Sequence, residues 1–442
     1  MAGPPAAPPA LRAYLDGNAT GLMSQPALDA LVAWCNRGSP GGAHAGARAA
    51  RRMLAAFRRE IAAECGFELE GPDAYDIIFT AGAADGSCLL LEGAVRAYAA
   101  RTRRQPHVLM SAAEHEAVQA CCRRLVAERL CQLTILPVAR AGAELGSVAA
   151  ADLAAALRPN TCLASVLAAD GETGALNDLR ALAAAARRGR VPFHTDAAQL
   201  FGRGALRPAA LGLDAFTASF HRLGGAPGVG VLVVRRALVD GYGLGPGANG
   251  AGALVGAPRG APNLPGLGAC LAAFRLASGA RAKYAERARR LRDAIQAALA
   301  ARVPCFHVDD HPADRPPSID GGSTPPGPAH AGSAAARRAI AAAEAGGEPA
   351  IFWVMPAEPR RVLPNTLLLA VRRPGFSAAA ARAVLEERGV TVGVGGARAA
   401  ALGVPAALRG GLVRLSLAGD TTADEARAFV REFLAVARRA PR

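Results

Sequence analysis

Between residues 75 and 235, short β-rich runs alternate with longer segments of helical period that are rich in Ala, Leu and Arg. The strand candidates, in chain order, are YDIIFT (75–80), HVLMS (107–111), QLTILPV (132–138), CLASVLA (162–168), VPFHTDA (191–197), AFTAS (215–219) and VGVLVVR (229–235). A helix such as residues 178–188, begun by an Asn-Asp cap, connects neighbouring strands and returns the chain to the same edge of a sheet. The alternation therefore predicts an α/β fold with a mainly parallel seven-stranded sheet and helices on both faces.

The remaining segments predict a second, smaller α/β unit. Residues 238–268 are rich in Gly and Pro and predict a long ordered loop, and residues 270–302 predict a long helix. Further elements are expected as strands at 365–371 and 412–418 and as helices at 377–388 and from about Thr422. Residues 308–349 are of low complexity, and we expect this insertion to be mobile.

We accordingly expect three parts along the chain. An N-terminal segment (1–25) packs with the small domain, a large domain covers residues 26–270, and a small C-terminal domain (271–442) carries the insertion. Parallel sheets bind ligands at the carboxyl ends of their strands. The polar clusters of this chain follow the predicted strands, which favours a site over a decorated surface.

Composition excludes several classes of function. No apolar run reaches the length of a membrane span, and the nine cysteines show neither a disulfide framework nor a metal-site spacing. The N-terminus lacks the layout of a signal peptide, so we expect a soluble, cytoplasmic protein. The net charge is +15, but the basic residues are scattered and Lys283 is the only lysine among them, which argues against a nucleic-acid partner.

Seven segments in chain order resemble motifs of the cysteine desulfurase and class V aminotransferase family. They are YLDGNATG (14–21, family YLDNNATT), FTAGAADGS (79–87, FTSGATES), SAAEHEAV (111–118, SxxEHxAV), ADGETGAL (169–176, NNETGxx), HTDAAQLFG (194–202, HxDAxQxxG), SFHRLGGAPGVGVL (219–232, SxHKxxGPxGxGxL) and LVRLSL (412–417, IRxSxG). The resemblance covers residues 14–275 and 360–435. It implies the fold-type I aminotransferase architecture, a homodimer, and pyridoxal phosphate as the cofactor.

The resemblance implies roles for residues around the cofactor ring. Asp196 matches the carboxylate that keeps the ring nitrogen protonated, which makes the ring an electron sink. Gln199 matches the residue that hydrogen-bonds the phenolic oxygen, and His115 matches the histidine that stacks on the ring. From the residues alone, Asp196 and Gln199 also fit a helix-capping role after a strand.

Other matched positions would hold the phosphate and the substrate. Ser219 and His221 match side chains that bind the phosphate, and the turn that contains Ala83 and Ala84 would offer it backbone N–H groups at the start of a helix. Arg414 matches the arginine that pairs with a substrate carboxylate, a contact suited to a bidentate guanidinium.

Two departures from the motifs remove the family's reactive groups. The lysine that forms the Schiff base is Arg222 here, and a delocalised, protonated guanidinium does not form that imine. The nucleophilic cysteine belongs near Arg398, and no cysteine follows Cys305. Covalent attachment of the cofactor is therefore not expected.

Three smaller departures affect the polar lining. The phosphate-binding threonine of FTSGATES is Ala84, and the threonine of the family's RxGTxN is Ala261 in PRGAPN. The second asparagine of NNETG is Gly171. A general drift from Lys to Arg does not explain the loss of Thr, Asn and Cys.

Our leading hypothesis is a catalytically inactive homologue, a pseudoenzyme that retains the fold and part of the pocket and binds a partner or a small anionic ligand. Two alternatives remain open. One is a sulfur-transfer or lyase enzyme that holds pyridoxal phosphate non-covalently through Asp196, His115, Ser219 and Arg222. The other is a basic nucleic-acid-binding protein on the same scaffold.

Overall fold

The structure is a computed structural model that describes residues 11–37, 39–242, 262–310, 345, 347–396 and 398–439. In these ranges the strands are β1 (Ala13–Leu15), β2 (Tyr75–Thr80), β3 (His107–Ser111), β4 (Gln132–Leu136), β5 (Thr161–Ser165), β6 (Phe193–Asp196), β7 (Ala215–Ser219), β8 (Gly230–Arg235), β9 (Cys305–His307), β10 (Ala350–Trp353), β11 (Thr366–Arg372), β12 (Val390–Val394) and β13 (Leu412–Ser416). The α-helices are α1 (Gln25–Cys35), α2 (Ala45–Cys65), α3 (Ala83–Thr102), α4 (Glu116–Ala127), α5 (Ala150–Ala156), α6 (Leu179–Arg188), α7 (Pro208–Leu211), α8 (Arg236–Gly241), α9 (Leu264–Ala300), α10 (Ala378–Glu387), α11 (Ala406–Arg409) and α12 (Ala423–Ala437).

The first sheet contains all seven strands that the alternation predicts. Its order is β2-β8-β7-β6-β5-β3-β4, in which β8 runs antiparallel to both neighbours and the other pairs are parallel. The connecting helix α6 starts where predicted, because the Asp178 side chain accepts a hydrogen bond from the Ala181 amide at 3.0 Å. The predicted α/β fold is confirmed.

Aromatic packing fixes the helices on one face of this sheet. The rings of Phe57 on α2, Phe220 after β7 and Phe274 on α9 meet with centroid distances of 5.0 Å for Phe57–Phe220 and 6.0 Å for Phe57–Phe274. Phe201 stacks on Phe274 at 5.3 Å. Because these large side chains are fully buried, the turn that follows β7 is held against a rigid core.

A second sheet is built mainly from the C-terminal part of the chain. Its order is β1-β12-β13-β11-β10-β9, and β1 from the N-terminal segment pairs in parallel with β12. The last helix, α12, begins with a capping box in which Thr422 and Glu425 bond each other's backbone amides. The first 25 residues thus reach this sheet through β1.

The expected loop at 238–268 is wrong at both ends. Helix α8 extends to Gly241, and α9 begins at Leu264, where Asn263 caps the helix by accepting from the Gly266 amide at 3.0 Å. Gly268 lies against Trp34 of α1, and a Cβ there would lie 2.2 Å from the indole ring. Gly268 therefore serves close packing between helices. Residues 243–261, which include Ala261, lie outside the described residues.

Helix α9 spans 37 residues, the longest helix in the described chain. It packs against α1 and α2 and against the last helix, α12. Within the part of the chain that the structure describes, no helix combines the length and the apolar character needed to cross a membrane. The insertion predicted to be mobile falls mostly on residues 311–344, outside the described ranges, so that statement stays a prediction.

Candidate functional site

A cavity of about 490 Å³ opens at the carboxyl ends of the parallel strands, where loops of the second sheet meet the first. Every residue that the motifs singled out as part of a site in the described chain lines it, namely Ala83, Ala84, His115, Asp196, Gln199, Ser219, His221, Arg222, Arg398 and Arg414. The cavity also includes Asn18 and Gly171, for which the motifs had suggested no contact with a ligand. Ala83 and Arg414 are 331 positions apart in the sequence, and the structure brings both to this cavity.

Asp196 and Gln199 stand at the end of β6. The buried Asp196 carboxylate accepts a hydrogen bond from the Ala198 amide at 2.9 Å, which fixes its direction. The Gln199 amide nitrogen donates to the Asn18 carbonyl at 3.2 Å. Both side chains therefore have structural partners, and both also border the cavity.

Asn18 is a hub that the motif comparison missed. Its side chain donates to Thr366 Oγ1 at 2.8 Å and accepts from Arg203 at 2.8 Å, and its amide donates to Ser416 Oγ at 2.9 Å. Thr366 and Ser416 belong to the second sheet and Arg203 to the turns that follow β6 of the first, so Asn18 joins the two parts of the chain beside the cavity. Its place in YLDGNATG was the available signal, because that motif carries an asparagine.

The start of α3 borders the cavity. The Ser219 hydroxyl oxygen, at the end of β7, accepts a hydrogen bond from the Ala83 amide at 2.8 Å. Gly82, the residue before the helix, provides no side-chain cap, and Asp85 closes the turn by accepting from the Ala81 amide at 2.9 Å. A helix of 20 residues presents the positive end of its dipole here.

His115 caps α4 through its ring. Its Nδ1 accepts a hydrogen bond from the Ala117 amide at 3.2 Å, so this nitrogen carries no proton in that geometry. Burial lowers the pKa of His115, against an opposing effect of Asp196. The imidazole is therefore neutral near pH 7 and presents an uncharged ring to the cavity.

The preceding residue, Glu114, is completely buried beneath the site. One oxygen accepts from the Ser111 hydroxyl and from the Leu167 amide, each at 2.7 Å, while its other oxygen has no hydrogen-bond partner among the described residues. Burial raises the pKa of Glu114 to about 8, with the nearby Asp196 adding to the effect. Glu114 therefore holds a proton at neutral pH.

Arg222 lies in the single turn that follows β7, at the lysine position of the motif. Burial lowers the pKa of its guanidinium to about 10, although Asp196 opposes the shift. Arg222 still carries its charge at neutral pH. Its Nε atom is buried and has no hydrogen-bond partner among the described residues, so the cavity contains a charged donor that is not satisfied by the protein.

Arg414 on β13 approaches the same cavity from the second sheet. Its guanidinium pairs with Asp16 at 2.5 Å. The Arg414 Nε atom, like that of Arg222, is buried without a hydrogen-bond partner in the described chain. The arginine that the motif assigns to a substrate carboxylate thus retains one free N–H group.

Arg398, near the cysteine position of the motif, is bound to the protein instead. It forms an ion pair with Asp170 at 2.7 Å, approaches Glu172 at 3.9 Å and donates to the Ala113 carbonyl oxygen. Burial acts to lower the pKa of Arg398, but the Asp170 and Glu172 carboxylates outweigh it and the pKa lies above its ordinary value. Asp170, in ADGETG, stands at the first asparagine of NNETG, and that change of charge was a signal that the motif comparison passed over.

Gly171, which follows, gives space to Gln199. A Cβ added at Gly171 would lie 2.5 Å from the Gln199 amide nitrogen. The loss of the second asparagine is therefore coupled to the position of the glutamine side chain. The glutamine bends over the backbone where the family has a side chain.

Comparison with known proteins places the chain in one family. The family model described as Aminotransferase class-V matches residues 13–320. The cysteine desulfurase of Cereibacter sphaeroides is 31% identical over 309 residues, which cover 70% of this chain and 75% of that enzyme. The selenocysteine lyase of Rattus norvegicus is 29% identical over 260 residues, covering 52% of this chain and 57% of that protein.

Solved structures show the same fold. A NifS-like protein matches with a TM-score of 0.74 at 20% identity, covering 96% of this chain and 99% of its own. The apo cysteine desulfurase of Thermococcus onnurineus NA1 matches with a TM-score of 0.71 at 18% identity and covers 99% of both chains. Together with the family match over residues 13–320, these findings establish that the chain is a cysteine desulfurase-like member of the pyridoxal-phosphate-dependent aminotransferase class-V family.

Proposed function

We propose that this protein is a catalytically inactive member of its family that binds a phosphate-bearing, pyridoxal-phosphate-like anion without a covalent bond. The observation that carries the proposal is Arg222, a buried and charged residue with an unpartnered Nε–H in a cavity that keeps Asp196, Ser219 and His115. A buried donor without a hydrogen-bond partner is costly, and an anion in the cavity would remove that cost.

The residues of the cavity fit such a ligand. Ser219 and the first turn of α3 would hold a phosphate: Gly82 contributes no capping side chain, and the Ser219 hydroxyl, which accepts from the Ala83 amide, borders the cavity. Asp196 would face a ring nitrogen, and the neutral His115 ring would lie on a ring face. When bound, pyridoxal phosphate supplies an electron sink. Here Arg222 and Arg414 would donate to its anionic groups through their free N–H atoms.

The reactive groups of a desulfurase are missing from this cavity. Arg222 stays protonated because its pKa is lowered only to about 10, so it offers no free amine. Lys283 is exposed on α9 and does not border the cavity, and no cysteine borders it. Neither an imine to the protein nor attack by a thiolate is available from the described lining.

A second candidate is a lysine-free sulfur-transfer or lyase activity with the cofactor held non-covalently. The neutral His115 favours it as a hydrogen-bond donor, because Nδ1 accepts from the Ala117 amide and the ring proton therefore lies on Nε2. A proton relay through Glu114, which lies just beneath, would need the proton that Glu114 gives up to be replaced. The buried carboxyl group of Glu114 has no direct opening into the cavity.

Calorimetric titration with pyridoxal phosphate, pyridoxamine phosphate and inorganic phosphate tests the binding proposal. We expect saturable binding of both cofactor forms at one site per chain, and weaker binding of inorganic phosphate. Borohydride treatment of the pyridoxal phosphate complex should fix no adduct in the peptide that contains Arg222. Lys283→Arg is the matched control, since an adduct at the chain's only lysine would disappear in it.

Two outcomes separate the candidates. Sulfide released from cysteine above the level of an Asp196→Asn variant would support the enzyme and overturn the inactive reading. Absence of any binding of the three anions would overturn the binding proposal itself. Borohydride adducts on the N-terminal amine are recognised by peptide mass and do not affect either conclusion.

We also propose that the protein is a homodimer. Leu22, Leu28, Val32 and Leu276 are large apolar side chains with 39–69% of their surface exposed, on and around α1 and the start of α9. A monomer rarely exposes such a grouped set, and a second copy would cover it. Light scattering should give a dimer mass at micromolar concentration, and Val32→Glu should lower it while Ile135→Glu, at an exposed position on the edge strand β4, should not.

We propose a reducing compartment, the cytoplasm, as the location. All nine cysteines are free thiols. Most of them are buried, and burial raises the pKa of several, such as Cys162 and Cys270, to about 12. Fractionation of cells that express a tagged chain tests the location.

A further inference from the structure

The segment that follows β12 crosses from the second sheet to the first. Ala399, Leu402 and Val404 are buried in the same apolar cluster as Val138 and Leu145, which follow β4. The backbone turns on itself there, with the Leu402 amide donating to the Arg398 carbonyl at 3.0 Å. Residues 398–404 are therefore packed on the large sheet, beside the cavity that Arg398 borders.

Arg398 is the charged end of this segment. Its Nη1 pairs with the completely buried Asp170 and donates to Ala113, and its Nε lies 3.9 Å from Glu172. Glu172 in turn accepts from the Gly396 amide at 3.2 Å. Two carboxylates from the loop after β5 thus hold both the side chain and the backbone that precedes the segment.

Asp170 and Arg398 form a buried pair of opposite charges. The family motifs have an asparagine at the first of these positions and a cysteine near the second. Removal of one partner would take away the nearest opposite charge of the other, and breaking a buried ion pair strongly destabilises a fold. Asp170 Oδ1 also accepts from the Glu172 and Thr173 amides at 2.8 and 2.6 Å, contacts that an asparagine oxygen could make as well.

We propose that Asp170 and Arg398 form a charge clamp that fixes residues 398–404 beside the cavity that Arg398 borders, and that this clamp restricts access to the cavity. Arg398 acts as a positioning residue, whichever ligand the cavity binds. Because its guanidinium pairs with Asp170 and donates to Ala113, Arg398 is held by the protein, and the buried N–H groups without a partner in the described lining belong to Arg222 and Arg414. The segment near the nucleophile position of the family motif is thus attached to the large sheet by an ion pair.

Access to the cavity can be measured without any ligand. In a Cys88→Ser background, which removes the native thiol of α3, Ala84→Cys places a thiol in the lining, and the rate of its alkylation by iodoacetamide, an uncharged reagent, is followed by mass spectrometry of the α3 peptide. Asp170→Asn is the decisive second change, because it removes charge without making any side chain smaller. We expect it to speed labelling by about tenfold, a change that corresponds to the loss of a coupled buried contact.

The complete cycle separates a clamp from a general loss of stability. Arg398→Gln should also speed labelling, and the Asp170→Asn/Arg398→Gln double variant should be no faster than Arg398→Gln alone. Its thermal midpoint should exceed that of Asp170→Asn, since no buried charge is left unpaired. Hydrogen exchange at amides 399–404 should rise in the single variants while exchange in β5 stays unchanged.

An exposed ion pair provides the matched control. Arg427 and Asp424 on α12 pair at the surface, and Arg427→Gln with Asp424→Asn should show no coupling in any of these readouts. Equal labelling rates in the Asp170→Asn variant and its parent would overturn the clamp. So would strictly additive thermal shifts for Asp170→Asn and Arg398→Gln. Neither result depends on whether pyridoxal phosphate binds.

Discussion

The cavity has two walls that changed to different degrees. The sheet wall, made by His115, Asp196, Gln199 and Ser219, keeps the residue types of the family motifs. The arginine wall, made by Arg222, Arg398 and Arg414, has lost the lysine and the cysteine. The two walls differ in whether their residues in the family motifs also form hydrogen bonds that the fold requires.

Residues of the sheet wall each satisfy a backbone or side-chain group of the fold. His115 accepts from the Ala117 amide, Asp196 from the Ala198 amide and Ser219 from the Ala83 amide. A lysine amine and a cysteine thiol that face a cavity have no such task. Folding therefore accounts for the retained polar residues whether or not they also bind a ligand, whereas the replacements on the other wall point to lost chemistry.

The largest expected effect is on Arg222→Lys. If only the amine is missing, the sheet wall should accept the cofactor at once, and we expect covalent attachment to rise from none to about one cofactor per chain. Mass spectrometry after borohydride reduction measures it at position 222. Sulfide production should remain at background, because the cavity lining still has no thiol.

One outcome for Arg222→Lys would contradict the view that only the arginine wall has changed. An Arg222→Lys variant that folds, binds inorganic phosphate and still forms no adduct would show that the sheet wall has lost its geometry too. Arg222→Gln serves as the control, since it removes the charge and the unpartnered Nε without adding an amine.

Glu114, buried beneath the cavity, leads us to expect that the stability of the fold depends on pH. Its pKa is raised from 4.5 to about 8, so the folded chain keeps a proton that the unfolded chain loses in that interval. Stability should therefore fall as pH rises from about 4.5 to about 8 and stay level above. Glu114→Gln should abolish this fall, giving a higher urea midpoint than the parent near pH 9 and a similar one near pH 5. A parallel pH profile in both proteins would contradict it.

Ser219→Ala tests the structural task of the sheet wall. The Ala83 amide would lose its acceptor at a buried helix start, and an unsatisfied buried donor costs about 1–3 kcal/mol. Urea unfolding measures the loss, with Ser377→Ala at an exposed helix cap as the comparison. No loss of stability in Ser219→Ala would mean that retention of this residue reflects ligand binding instead of folding.

The sequence was sufficient for the sheet and insufficient for contacts made across it. Runs such as residues 75–80 and 215–219 identify strands because period and flanking turns are local properties. The sequence did not predict the start of α9, because Gly268 is a glycine for a reason that is not local. It makes room for Trp34, more than 200 residues earlier. The Asp170–Arg398 pair was missed for the same reason, as its two charges meet only in the folded chain.

The smallest expected effect comes from restoring a hydroxyl at Ala84, where the family motif has threonine. Ala84 lies in the first turn of α3 and borders the cavity, so a threonine hydroxyl there could donate to a phosphate. One such hydrogen bond is worth about 1 kcal/mol, and we expect Ala84→Thr to tighten the binding of pyridoxamine phosphate about fivefold by calorimetry. Ala84→Val has the same shape without the hydroxyl and should not tighten it. If both variants bind alike, the phosphate does not meet α3, and the sheet wall would then be retained for folding alone.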